Sequence, residues 1–245
     1  MASSLIGKYH FTIDAYLTDF RGKATLPLMS SFILQVATKH AEERGFGYSA
    51  MTERKRAWVL SRLVIEMFDY PSNDDEINVR TWVADVNKLF TERCVSFESQ
   101  DGKQIGFART IWAAIDMETR RPTNVLELEG LSDYKISQEL PISGTRKIPA
   151  IKDLDPVGKF TVRYSDIDIN GHLNSMKYIE HFTDMFDIEM FRTKDIRRFE
   201  INYTNEAYFG SRLKLYKKEE DTENSYILEM RSDDALISSA RVIWG

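Results

Sequence analysis

Two separate stretches of the chain place apolar residues at helical spacing. Each stretch has four such residues at successive intervals of four, three and one, which is the pattern of one buried helix face. They are Met29, Ile33, Val36 and Ala37 in the first stretch, and Tyr178, Phe182, Met185 and Phe186 in the second. We therefore expect two helices, each deeply buried against a sheet.

Eight further segments alternate β-branched or aromatic residues with polar ones, and turn sequences such as PSNDD and QDGK separate them. The segments begin at Trp58, Glu76, Phe90 and Gln104 in the first half, and at Ile196, Ser211, Ser225 and Ala235 in the second. With a short strand before each helix, each half is predicted to be one helix against about five strands. A long antiparallel sheet that curls around one helix is the hotdog architecture. The predicted fold class is α+β, a double hotdog made of two tandem hotdog repeats.

The two halves also share a sequence repeat. The segment FTIDAYLTDFRGKAT (Phe11 to Thr25) aligns without a gap on FTVRYSDIDINGHLN (Phe160 to Asn174), a shift of 149 positions. Near the end of each half, ARTIW returns as ARVIW. Start, middle and end of the halves therefore agree in order, which indicates an internal duplication.

A segment of poor periodicity joins the halves. Four of the six prolines fall in it, and proline removes a strand hydrogen bond, so no regular sheet is expected there. We predict an N-terminal hotdog over residues 1–116, a connecting segment over 117–158 and a C-terminal hotdog over 159–245. The connection is expected to cross the surface in extended form, with a short helical turn near Val125 to Leu131.

Composition and charge limit the functional classes. A net charge of −5 argues against nucleic acid as a partner, since phosphate binding needs a basic surface. No apolar run reaches the roughly 18 residues of a membrane span, and MASSLIGKYHF lacks the apolar segment of a signal peptide. The single cysteine, Cys94, excludes an internal disulfide and a cysteine-rich metal site. We expect a cytoplasmic protein without metal or cofactor, and the sequence leaves a homodimer open.

The repeat exposes a chemical difference between the halves. DINGHLN in the second half replaces DFRGKAT in the first, so Asp168 matches an aspartate but Asn170, His172 and Asn174 have no counterpart. Histidine exchanges protons near neutral pH. A plain turn is the structural alternative, because Asn-Gly marks a turn and Asn174 or Ser175 is a suitable N-cap for a helix from about Ser175.

Several groups suited to acyl transfer fall near that histidine. In an extended segment Asp168, Asn170 and His172 project to one side. Glu206, in INYTNEAYFG, ends a strand of the second half. When the strands that follow are aligned between the halves, Tyr70 is the equivalent residue of the first half, so this acid too is absent there. The N–H groups near Gly171 to Asn174, at a helix start, are candidates to hold an oxyanion. A solvated glutamate at a strand end remains the structural alternative for Glu206.

The segment DINGHLNSMKYIEHF resembles the Asp-x-Asn-x-His motif of the acyl-acyl carrier protein thioesterases of plant plastids and bacteria. Members of that family are double-hotdog enzymes that release free fatty acids from the carrier, and the likeness covers nearly the whole chain. The resemblance implies catalytic roles for Asp168, Asn170, His172 and Glu206. In plant members a cysteine once proposed as nucleophile follows the glutamate, whereas Ala207 stands here. A cysteine nucleophile is therefore impossible at this position.

Two mechanisms stay open at this point. Either Asp168 attacks the thioester to give an acyl anhydride, or Glu206 or Asp168 acts with His172 to activate water. The competing functions to a carrier-protein thioesterase are an acyl-CoA thioesterase, a hotdog hydratase or dehydratase, and a non-catalytic acyl-binding module.

The resemblance also implies a partner, acyl carrier protein, and a division of labour. The carrier is acidic, so the enzyme needs a local basic patch, for which RTKDIRR (Arg192 to Arg198) and RKR (Arg54 to Arg56) are candidates. The first half, without the histidine and the glutamate, is expected to shape the acyl tunnel, with Trp58 and Met67 setting its depth.

Overall fold

The computed structural model describes residues 5–138 and 140–245. Residues 1–4 and 139, which belong to the predicted N-terminal hotdog and the connecting segment, lie outside the described residues. The chain folds as two compact units, Met1–Gly144 and Thr145–Gly245, so the unit boundary falls inside the predicted connecting segment.

The first unit is an antiparallel sheet of five strands with a long helix. Its strands follow the spatial order β1-β3-β4-β5-β2. The elements are β1 (Gly7–Thr12), α1 (Leu26–Glu42), α2 (Tyr48–Glu53), β2 (Arg56–Met67), β3 (Glu76–Val86), β4 (Thr91–Ser99) and β5 (Gln104–Asp116). The predicted apolar face of α1 is fully buried, with Met29, Ile33 and Val36 each 0% exposed.

The second unit repeats this order with a shorter first helix, of 9 residues in place of 17. Its strands are arranged β7-β10-β9-β8-β6, all antiparallel. The elements are β6 (Gly158–Thr161), α3 (Ser175–Thr183), α4 (Ile188–Thr193), β7 (Ile196–Tyr203), β8 (Arg212–Glu219), β9 (Ser225–Ser232) and β10 (Ala235–Trp244). A short 3-10 turn precedes the long helix in both units, at Ala15–Leu17 and Tyr164–Asp166.

All ten predicted strands are confirmed, but the helix predictions need two corrections. Each unit contains a second short helix, α2 or α4, where the sequence predicted only one helix per half. In addition, α3 ends at Thr183, so Met185 and Phe186 lie in the link to α4 and not on the helix. The cause is Asp187, whose side chain accepts the Glu189 N–H and starts a new helix.

The connecting segment has no strand between β5 and β6 in its described part, as its prolines predict. Most of its described residues are exposed, as expected for a segment that crosses the surface, but part of it is anchored in the core. Val125, Leu128 and Leu131 are buried in a cluster of the first unit, which holds two 3-10 turns, Val125–Glu127 and Leu131–Tyr134. Apolar side chains at three-residue spacing explain the burial, because they cover the ends of α1 and β5.

Two buried carboxylates hold the rest of the connection onto the second unit. Glu200 accepts the N–H of Arg146 at 3.0 Å, and Glu229 accepts the N–H of Ile151 at 2.9 Å. Both glutamates lie on strands of the sheet and are almost fully buried. The segment is therefore fixed by backbone donors that point to charged acceptors.

The basic segments predicted to dock a partner are largely ion-paired. Arg198 is buried, and its Nε donates to Glu200 Oε1 at 2.6 Å. Arg192 pairs with Glu189 at 2.9 Å, and Arg56 with Glu127 at 2.8 Å. Arg198 cannot meet a partner without exposing a buried pair, so its prediction as a docking residue is wrong.

Candidate active site

The site forms around a tight turn between β6 and α3. Asp168 organises this turn, because its Oδ1 accepts the N–H groups of Asn170 at 2.8 Å and His172 at 3.2 Å. Its own N–H donates to the His172 carbonyl at 2.9 Å. Gly171 occupies the left-handed region with φ of 80°, a conformation that favours glycine.

The first unit builds the same turn with different chemistry. Asp19 Oδ1 accepts the N–H groups of Arg21 at 2.8 Å and Lys23 at 3.1 Å, and Gly22 has φ of 74°. Thr25 caps α1 as Asn174 caps α3, where Asn174 Oδ1 accepts the Met176 N–H at 2.9 Å. The predicted N-cap and the helix start at Ser175 are confirmed. Turn and helix entry therefore do not require asparagine or histidine at the positions of Asn170 and His172.

The second oxygen of the turn aspartate distinguishes the two copies. In the first unit, Asp19 Oδ2 accepts the Arg21 side chain, from Nε at 2.9 Å and from the terminal nitrogen at 2.8 Å. In the second unit, no side chain among the described residues donates to Asp168 Oδ2. The replacement of Arg21 by Asn170 thus leaves one carboxylate oxygen of Asp168 open.

Glu206 reaches the turn through a backbone contact. The Leu173 N–H donates to the Ala207 carbonyl at 2.7 Å, as Ala24 does to Pro71 at 2.8 Å in the first unit. This register makes Glu206 equivalent to Tyr70, as the sequence predicts. It brings Glu206 Oε2 within 3.4 Å of His172 Nε2, with both side chains partly exposed.

Two tyrosines complete the surroundings of this pair. The hydroxyl of Tyr208 donates to Glu206 Oε2 at 2.9 Å, and its ring meets His172 edge to face with centroids 5.1 Å apart. Burial raises the pKa of Tyr178, and the charges of Glu206 and Asp168 add to the effect. Tyr178 therefore stays protonated beneath the site. The sequence pattern indicated only that Tyr178 belongs to the apolar face of a helix.

Asp168 also borders an open groove, whose walls are Tyr164, Ser165, Ile167, Asp168 and Phe209. Its volume is about 480 Å³. The side chains of His172 and Glu206 are not part of these walls. The structure thus joins His172 to Glu206 and places Asp168 beside them, whereas the exposed Asn170 side chain makes no hydrogen bond in the described part of the chain.

The oxyanion donors predicted from the sequence are already engaged. The N–H groups of Gly171 and His172 bond to Asp168, that of Leu173 to Ala207, and that of Asn174 to Asp166 at 2.8 Å. The prediction that they hold an oxyanion is wrong, because strand pairing and the turn consume all four. The Ser175 N–H, the first of α3, has no acceptor within the described ranges.

The remaining candidate residues do not join the site. Cys94 is fully buried in β4, and burial raises its pKa to about 12, so it is a protonated thiol in a core. His40 is buried and His10 lies on β1, while His181 stacks on Phe160 at 3.6 Å. Over residues 5–138 and 140–245, no cluster of three or more histidine, cysteine or acidic residues is placed to hold a metal ion. In the same ranges no helix is long and apolar enough to cross a membrane.

The fold and the site together define a class. Two tandem hotdog units, with an imidazole and two carboxylates gathered at one turn of the second, describe a double-hotdog protein. Models of the acyl-ACP thioesterase N-terminal domain and C-terminal domain match residues 6–129 and 152–245. The chain belongs to the acyl-ACP thioesterase family.

Individual relatives agree with this membership. The chain is 25% identical over 218 residues to oleoyl-acyl carrier protein thioesterase 2 of Arabidopsis thaliana, covering 82% of this chain and 59% of that protein. It thus spans about three fifths of the length of that curated relative. The crystal structure of an acyl-ACP thioesterase from Bacteroides thetaiotaomicron is 39% identical, with a TM-score of 0.94 and 98% of each chain covered.

A more distant structure shares the fold. The 12:0-ACP thioesterase from Umbellularia californica has a TM-score of 0.89 at 19% identity, over 100% of this chain and 99% of that one.

Proposed function

We propose that this protein hydrolyses fatty acyl thioesters of acyl carrier protein, releasing the free fatty acid and the carrier thiol, in fatty acid biosynthesis. The observation that carries the proposal is the contact between His172 and Glu206 at 3.4 Å. The first unit forms the same turn without a histidine or a glutamate at these positions, so the turn itself does not require this contact. Family membership and the activities named for the relatives from Arabidopsis and Bacteroides support the same chemistry.

The geometry favours direct activation of water by His172 and Glu206. A carboxylate beside one imidazole nitrogen fixes its tautomer and stabilises the imidazolium that forms when the other nitrogen takes a proton from water. The hydroxyl of Tyr208 holds Glu206 in place. Water attacks the thioester carbon, the tetrahedral intermediate expels the thiolate, and the imidazolium returns the proton to that leaving group.

Asp168 has a sufficient structural role in the turn, since Asp19 makes the same two bonds to backbone N–H groups without catalytic neighbours. Asp168 lines the groove, and we assign its open second oxygen to assist water or substrate there. The exposed amide of Asn170 follows directly and is the side chain we assign to orient the thioester carbonyl. One such donor contributes about 3 kcal/mol in enzymes where it has been removed.

A thiol-release assay on acyl-carrier thioesters tests the proposal. We expect His172→Ala and Glu206→Gln each to lower kcat by about 10²- to 10⁴-fold, the usual contribution of general acid–base groups. His10→Ala is the matched control, because it removes an exposed histidine of the first unit. Acyl binding without thiol release, equally strong in the wild type and in His172→Ala, would point to the non-catalytic acyl-binding module.

The same assay distinguishes this activity from those of other acyl-thioester enzymes. An acyl-CoA thioesterase would prefer acyl-CoA over a carrier substrate with the same acyl chain. A hydratase or dehydratase would convert a 2-enoyl or 3-hydroxyacyl thioester without releasing thiol.

The first unit is proposed to set the acyl-chain preference. Trp58 is anchored by its Nε1, which donates to the Phe46 carbonyl at 2.8 Å, and Met67 is 1% exposed, so both have fixed positions. Exchanging residues 1–116 between enzymes of different preference should transfer the preference. If it travels with residues 159–245 instead, this division of labour is wrong.

A cytoplasmic location and a homodimer stay predictions, the second testable by light scattering.

A further inference from the structure

The outer edge of the second unit carries four exposed cations. Lys159 lies on β6 and Arg163 just beyond its end, while Arg212 and Lys214 lie on the neighbouring strand β8. In the described residues none of the four forms an ion pair or a side-chain hydrogen bond. We refer to them as the edge patch. In a chain of net charge −5, four neighbouring unpaired cations are an anomaly.

The strand register brings these residues together. Lys159 is the direct partner of Lys214, and Thr161 is the partner of Arg212, in antiparallel pairing. Alternation along β6 turns Phe160 inward against His181, so Lys159 and Thr161 face outward. Like charges directly opposite each other destabilise a sheet. The arrangement therefore costs stability, and no ion pair among the described residues of the second unit offsets it.

The duplication shows that the fold does not need these charges. Phe11 and Ile77 pair in the first unit as Phe160 and Leu213 pair in the second, which aligns the two edges. In this alignment His10 and Asp14 correspond to Lys159 and Arg163. Glu76 and Asn78 correspond to Arg212 and Lys214. There, His10 Nε2 lies 3.6 Å from Glu76 Oε2. At these four positions the first unit thus carries two acids, a histidine and an amide, whereas the unit with His172 carries four cations.

Both strands of the edge patch end at the groove. Tyr164, Ser165 and Phe209 line the groove. Arg163 directly precedes the first two in the chain, and Arg212 follows three residues after Phe209. From Lys159 to Arg163 an extended chain covers about 13 Å. A partner held on the edge patch is therefore placed beside the entrance to the catalytic turn.

We propose that Lys159, Arg163, Arg212 and Lys214 form the docking surface for the acidic carrier that delivers the acyl thioester. The inference rests on the proposed function and replaces the basic segments expected from the sequence. Carboxylates of the partner neutralise the repulsion between Lys159 and Lys214 and steer the encounter.

The experiment compares Lys159→Gln/Lys214→Gln with a control, Lys8→Gln/Lys88→Gln, which removes two exposed lysines of the first unit. Substrates are a fatty acyl carrier protein and the uncharged N-acetylcysteamine thioester of the same acid. We expect the first variant to raise KM for the carrier substrate about fivefold without changing kcat, since each surface contact is modest. KM for the small thioester, and both constants of the control, should stay at wild-type values.

The salt dependence of KM and the unfolding temperature distinguish a docking role of these lysines from a purely structural one. KM of the wild type for the carrier should rise with ionic strength, and more steeply than KM of the Gln variant. The variant should unfold at the same or a higher temperature, because a like-charged pair is removed.

The outcomes distinguish this inference from the proposed function. Hydrolysis of both substrates with an unchanged carrier KM in Lys159→Gln/Lys214→Gln overturns the docking surface and leaves the thioesterase standing. An equal rise of KM in the control also overturns it, because the effect would then be one of total charge. A wild type that hydrolyses neither substrate overturns the proposed function, and the docking surface with it.

Discussion

Replacing Asp168 with asparagine separates its role in the turn from a role as nucleophile. Asparagine keeps an oxygen that can accept the N–H groups of Asn170 and His172, now bonded at 2.8 and 3.2 Å, but it cannot form an acyl anhydride. A turn that depends on these two bonds survives the change. A mechanism that depends on attack by the carboxylate does not.

The bonds of the turn set the expected magnitude. A hydrogen bond to a charged acceptor contributes about 1 kcal/mol more than one to a neutral acceptor. Two such bonds at a partly exposed position give a loss of about 1 to 2 kcal/mol in the free energy of unfolding for Asp168→Asn. Asp19→Asn is the matched control and should lose somewhat more, because Asp19 also pairs with Arg21 at 2.8 Å.

Activity is measured as kcat/KM by thiol release, and stability by urea unfolding of the same preparations. If water is activated by His172 and Glu206, Asp168→Asn should retain kcat/KM within about tenfold of wild type. Loss of an attacking nucleophile lowers the rate by at least about 10³-fold. A loss of that size, with unfolding free energy within about 2 kcal/mol of wild type, would refute the assignment of Asp168 to the turn. Oxygen-18 from water found on Asp168 after a single turnover would do the same.

Three further predictions follow from buried or bonded side chains. Burial, with the nearby charges of Arg93 and Arg44, lowers the pKa of His40 from 6.5 to about 3, so the unfolded chain takes up this proton first. The contribution of His40 to the free energy of unfolding should thus be constant above about pH 6.5, and below it the free energy should fall toward pH 3 by up to about 1.4 kcal/mol per pH unit. Urea unfolding of His40→Gln at the same pH values should lack this fall. Tyr208→Phe removes the 2.9 Å bond to Glu206 and should lower kcat about fivefold, with unfolding free energy nearly unchanged. Glu200→Gln weakens a buried ion pair and should cost about 3 kcal/mol in urea unfolding, while an equal stability would contradict its role in fixing the connecting segment.

The parts of the fold that follow from local chemistry are predictable from the sequence. Strand periodicity locates the strands, and the side chain of Asn174 locates the start of α3, because both depend on neighbours in the chain. Glu206 emerges from comparing the two halves, since a duplicated register places equivalent residues at equivalent sites. The end of α3 does not emerge, because Asp187 opens a second helix within the apolar pattern.

What the sequence could not supply depends on pairing between distant segments. The N–H groups of Leu173 and Asn174 donate to the carbonyls of Ala207 and Asp166, so they are not free to bind an oxyanion. Sequence periodicity does not show which N–H groups will bond to another segment. The burial of Arg198 follows from its side of β7, where Glu200 lies two residues on and faces the same way. That carboxylate is the signal in the sequence that distinguishes a buried pair from a solvated basic run.

The two units of this chain act as controls for each other. In the first, the Arg21 side chain bonds to the second oxygen of Asp19, which closes that oxygen to other partners. In the second, the equivalent residue is Asn170, so the turn keeps its backbone bonds, and Asp168 lines the groove. The same unit holds a histidine, a glutamate and four edge cations that form no ion pair with the described residues, and its strand register matches that of the first unit. Because stability accounts for the features that both units share, function is the simplest physical reason for those that only the second one has.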